Sequence, residues 1–76
     1  MVDANMVLST VRKVSGITEL QLDSKFPELG LDSTNVLEML IEFEILLDID
    51  LLAEDMNLDE ILSPLDILEY IRRYTK

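Results

Sequence analysis

The stretch STNVLEMLIEFEILL, residues 33–47, decides how the rest of this chain is read. Nine of its positions are apolar: Val36, Leu37, Met39, Leu40, Ile41, Phe43, Ile45, Leu46 and Leu47. No Gly or Pro interrupts them, and the run is long enough for four helical turns. So many apolar residues exceed one half-buried stripe, which predicts a central helix touching others on more than one side. The polar positions Thr34, Glu38 and Glu42 stand at i, i+4 and i+8 with Asn35 beside them, a narrow exposed strip.

Upstream, residues 17–32 have no sustained period, and Leu20, Leu22, Phe26, Leu29 and Leu31 are scattered among turn formers. This predicts a long ordered loop pinned by its apolar residues, a kind of segment that often presents function. Before it, Ala4, Val7, Leu8, Val11 and Val14 mark one face of a helix over residues 3–15. Asp3 suits its start, and Gly16 stands where a left-handed terminating residue is expected.

Downstream, residues 48–56 read as a short acidic connector. Asn57 followed by Glu60 resembles a capping box, with Met56 and Ile61 as its hydrophobic staple, so a short helix is predicted over residues 58–62. Ser63-Pro64 restarts the chain as N-cap and first helical residue. Leu65, Leu68, Tyr70, Ile71 and Tyr74 carry the period of a last helix ending near residue 74. The fold expected is all-α: a small four-helix bundle of three longer helices and one short one, with a long first loop, in a single domain spanning residues 1–76.

Composition narrows the chemistry. The 76 residues hold six bases and sixteen acids, a formal charge of −10, with neither Cys nor His. That excludes thiol and histidine catalysis and Cys-type zinc sites. Thirteen acids lie between Phe26 and Ile71 with no Lys or Arg among them. Such a surface repels nucleic acid and anionic membranes and suits basic protein partners. No apolar run spans a membrane, and no signal-peptide pattern is present, so a cytoplasmic monomer is expected. An EF-hand begun at Asp48 would place Leu52 and Ala53 at its fifth and sixth positions, which rules it out, and no metal site is expected. Two glycines exclude a glycine-rich phosphate loop. Intrinsic catalysis is therefore not expected.

One local feature remains. Glu28-Leu29-Gly30-Leu31-Asp32-Ser33 ends the loop and opens the central helix. Asp-Ser at such a point is ordinarily a helix cap. The same place suits a modified hydroxyl, because unpaired N–H groups and the helix dipole favour an attached phosphate.

With Leu29-Gly30-Leu31-Asp32-Ser33, Glu38, Phe43-Glu44, the Asp48-Ile49-Asp50 connector, Ile61-Leu62-Ser63 and Asp66 to Ile71 in view, the chain resembles the acyl carrier proteins. The resemblance covers nearly the whole length and is densest over residues 28–71. It implies that Ser33 receives 4′-phosphopantetheine from coenzyme A through a separate phosphopantetheinyl transferase, assisted by Asp32. The thiol of that arm would hold acyl or aminoacyl groups of fatty-acid, polyketide or related specialised biosynthesis as thioesters. Thr34, Asn35, Glu38 and Glu42 would meet basic docking patches on loading ligases, synthases and transferases. Val36, Leu40, Phe43, Leu62 and Ile71 are candidates for an acyl-chain pocket. Thr34 replaces the family's usual Leu, Asn35 replaces a frequent acid, and Leu51-Leu52 stands in a connector that often contains Pro. The alternative expectation is an acidic helical adaptor, unmodified at Ser33, that binds a basic partner.

Overall fold

The computed structural model describes residues 3–52 and 57–74, with the Tyr74 side chain left aside. Three α-helices make the frame: α1 (Ala4–Ser15), α2 (Ser33–Leu47) and α3 (Pro64–Tyr74). Two 3₁₀ turns, Phe26–Leu29 and Leu58–Glu60, lie in the connections. The described residues contain no strand.

Each helix is bounded by the chemistry of its end residues. Asp3 caps α1, its carboxylate accepting the Met6 N–H at 2.9 Å. Gly16 ends α1 at φ 77°, where a side chain would be strained, and donates its N–H to Arg12 O at 2.8 Å. Ser63 begins α3 by accepting the Asp66 N–H, while Asp66 Oδ2 reaches back to the Leu62 N–H at 2.9 Å.

The predicted short helix over residues 58–62 is instead a single 3₁₀ turn of three residues, so a fourth helix is not present among the described residues. Its cap is shorter than a capping box. Asn57 Oδ1 accepts from Asp59, two residues on. The proposed Met56 staple lies outside the described residues. The first loop also departs from expectation, because Phe26–Leu29 forms its own 3₁₀ turn, started by Pro27 and closed by Gly30 at φ 78°.

Helix α1 packs against both α2 and α3. Residues 33–47 meet both α1 and the 3₁₀ turn at Leu58–Glu60, but part of the helix stays outside the core. Val36, Met39, Leu40 and Phe43 of α2 are buried, but Ile41, Ile45 and Leu46 face outward. In α3 the core positions are Ile67, Leu68 and Ile71, whereas Leu65, expected inside, is exposed. The loop completes the core with Leu20 and Phe26, each 1% exposed. It is tied down by polar bonds. The Arg12 guanidinium donates twice to Leu20 O, Phe26 N–H donates to Leu62 O at 2.7 Å, and Leu65 N–H donates to Leu22 O.

Glu44 organises the next connection. Its Oε2 accepts the N–H groups of Leu51 (2.8 Å) and Leu52 (3.1 Å), and the Tyr70 hydroxyl donates to Leu51 O. Leu51 is thereby held fully buried. The Leu52 and Leu51 amides, with a smaller contribution from Asp50, hold the Glu44 carboxyl below its usual value against the opposing effect of burial. A carboxylate with a depressed folded-state pKa stabilises the fold above its unfolded value and loses that contribution as pH falls through the folded one. The melting-temperature difference between wild type and Glu44→Gln should therefore favour wild type near neutrality and shrink as pH falls below the ordinary glutamate range. A difference independent of pH would remove the charge from this clasp.

Candidate functional site

Ser33 is the first residue of α2 and is exposed. Among the described residues its hydroxyl has no hydrogen-bond partner. The residue before it does the structural work. Asp32 Oδ1 accepts the N–H groups of Thr34 (3.0 Å) and Asn35 (3.2 Å), and Asn35 Oδ1 accepts the Asp32 N–H at 3.0 Å. The pair forms a capping box.

This corrects the picture of an open anion seat. Two of the amides expected to face a phosphate are already occupied by the chain's own carboxylate. Val36 N–H is bonded to Asp32 O at 3.2 Å. In this first turn only the Ser33 amide keeps no partner among the described residues. The hydroxyl is thus presented by a rigid cap, not by a nest of free N–H groups.

Ser33 and Asp32 line a groove of about 290 Å³. Its other walls are Phe26, Pro27 and Leu31 from the loop, Val36 from α2, and Leu58, Asp59, Ile61 and Leu62 from the chain entering α3. Apart from Asp32, Ser33 and Asp59, those walls are apolar side chains. The groove can therefore take a slender apolar group whose attached end lies at Ser33.

Of the five pocket candidates, Val36 and Leu62 line this groove. Leu40, Phe43 and Ile71 do not; each is fully buried and serves as core packing. Sequence reasoning missed Phe26, Leu31, Leu58 and Ile61 as walls, since they lie in segments without regular period. Their signal was present only as apolar residues within or close to the 29–33 motif and the 63–64 restart.

The four partner-facing candidates divide in the same way. Thr34 and Glu38 are exposed, as expected from their spacing. Asn35 is half-buried and committed to the cap. Glu42 turns towards α1, where its Oε1 lies 3.3 Å from Lys13 Nζ. That contact bridges 29 positions in sequence.

A second, polar groove of about 190 Å³ lies between Asn57, Glu60, Asp66, Glu69, Tyr70 and Arg73, and shares Ile61 with the first. Among the described residues no three carboxylates gather as metal ligands. Nor is any described helix long and apolar enough to cross a membrane. The chain matches no protein-family model, no curated protein and no solved structure.

Proposed function

We propose that this chain is an acyl carrier protein, modified on Ser33 by 4′-phosphopantetheine and presenting acyl or aminoacyl intermediates to partner enzymes. The observation that supports it best is an exposed, unengaged Ser33 hydroxyl on the lip of an apolar groove. The sequence Leu29-Gly30-Leu31-Asp32-Ser33 around it is the resemblance's most informative part.

The residues fit the group. A bulky transferase can reach a hydroxyl at an exposed helix start, and no described side chain must be displaced. In the modification, Ser33 Oγ attacks the pyrophosphate of coenzyme A, forms a phosphodiester, and releases adenosine 3′,5′-bisphosphate; its proton passes to a base outside this chain. Bound there, the group supplies a thiol, which this cysteine-free chain lacks, to hold cargo as a thioester. The capping box fixes the direction in which Ser33 points, and the groove shelters apolar cargo from water. In this reading the protein is not itself a catalyst. Its partners are the transferase and the loading and processing enzymes of fatty-acid, polyketide or related pathways.

Incubation with coenzyme A, Mg²⁺ and a broad-specificity phosphopantetheinyl transferase tests the reading. Intact mass should rise by one phosphopantetheinyl unit in wild type and not at all in Ser33→Ala. No addition to wild type with several transferases would leave the unmodified adaptor in its place.

A further inference from the structure

The groove beside Ser33 is not uniformly apolar. Two carboxylates stand on its walls: Asp32 at the start of α2 and Asp59 on the chain entering α3. They differ in what they already do. Asp32 Oδ1 accepts two amides of the α2 cap. The Asp59 carboxylate has no hydrogen bond or ion pair among the described residues. Its backbone is fixed all the same. The Asp59 N–H donates to Asn57 Oδ1 at 3.0 Å, and the 3₁₀ turn around it is closed by Glu60 N–H on Asn57 O and Ile61 N–H on Leu58 O. Asp59 is therefore an anion in a set place with no counterion.

The groove has no base of its own. No Lys or Arg lines it, and none lies between Phe26 and Ile71 in the sequence. A cation that pairs with Asp59 there has to arrive with the occupant. Cargo with different polar ends then fares differently. Every acyl body makes the same contacts with Leu31, Val36, Leu58 and Leu62. A carboxylate end brings a like charge to two fixed anions. A neutral hydroxyl end gains nothing from charge. An ammonium end adds an ion pair, and beside apolar walls that pair is stronger than in open water.

We propose, on the carrier reading, that the groove selects acyl groups bearing an ammonium group over those with a neutral polar or carboxylate end, and that Asp59 sets this preference. The cargo class is an amine-bearing acyl group, such as an amino acid, with an apolar body slender enough for a channel of about 290 Å³. Of the two carboxylates, Asp59 takes the ammonium because its oxygens are uncommitted.

Synthetic coenzyme A analogues carry the probes: a pentanoyl chain ending in ammonium, in hydroxyl or in carboxylate, amide-linked to the arm so that none hydrolyses or cyclises. A phosphopantetheinyl transferase installs each on Ser33, and methyl NMR of Val36, Leu58 and Leu62 reads the ratio of sheltered to solvent-exposed cargo. The ammonium chain should be sheltered about three- to fivefold more than the hydroxyl chain, with the carboxylate chain lowest. Added salt should narrow the series. Asp59→Asn should abolish the advantage of ammonium and leave the hydroxyl chain unchanged. Glu60→Gln, an exposed neighbour that lines only the polar groove, should keep the wild-type order. Equal sheltering of the ammonium and hydroxyl chains would overturn the proposal while the carrier reading stands. Equal losses in the two variants would assign the preference to the overall charge and overturn it as well. No loading of any chain would remove the carrier reading and this proposal with it.

Discussion

Replacing Phe43 by Ala should leave this protein largely unfolded on modest heating. Phe43 is fully buried in α2 beside Leu40 and Met39. Truncating a buried Phe costs about 3–5 kcal/mol through lost transfer energy and the cavity left behind. A domain of this size holds about 4–11 kcal/mol in total. The variant thus loses a large share of its margin, and its melting temperature should fall by about 10 °C or more. Ile45→Ala is the matched control, two residues away on the same helix. Its side chain is 71% exposed, so its loss should stay within about 0.5 kcal/mol. Circular-dichroism melts of the two variants check the assignment of inside and outside. Comparable losses would contradict it.

The second large effect separates two roles of one carboxylate. Asp32 caps α2 through the Thr34 and Asn35 amides. Asp32→Ala removes that cap and should cost about 0.5–2 kcal/mol. Asp32→Asn should be nearly neutral in stability, because Asn is as good an N-cap as Asp. If Asp32 also assists the transferase, as the proposed function holds, the Asn variant still loses a charged contact at the reacting hydroxyl. Loss of one charge-assisted hydrogen bond corresponds to a rate about ten- to a hundredfold lower. Phosphopantetheinylation rates and melting temperatures of the three proteins, measured side by side, separate the two. Asp32→Asn modified at the wild-type rate would leave Asp32 as a cap alone.

Which parts of this protein were legible beforehand follows from the range of each interaction. The bounds of α1 and α2 were readable because Asp3, Gly16 and Asp32 act on amides within a few residues of themselves. Ser33 as the first residue of α2 came from the same local chemistry. The 3₁₀ turn at Phe26–Leu29 is not readable, since four residues display no period, whereas Asn57 marks the start of the turn at Leu58–Glu60 and only its length and type differ from expectation. The inner face of α2 is less legible for a different reason. Nine apolar residues in fifteen positions fit several choices of inner face, and the placement of α1 and of the 3₁₀ turn at Leu58–Glu60 decides among them. Glu42 likewise belongs to the exposed strip by spacing. Its engagement with Lys13 depends on how α1 and α2 cross, which no window of local sequence contains. The groove is assembled from three separated segments, so its walls could be guessed only where they coincided with a helix, as at Val36.

The bond from Phe26 N–H to Leu62 O has a further consequence. Phe26 and Leu62 stand on the two banks of the groove beside Ser33, one on the loop and one at the threshold of α3. This single amide is a crossbar between them. A guest too thick for the present channel must spring that crossbar, and a thin one leaves it fastened. On the proposed carrier reading, the girth of cargo in the groove is thus gauged by one backbone contact.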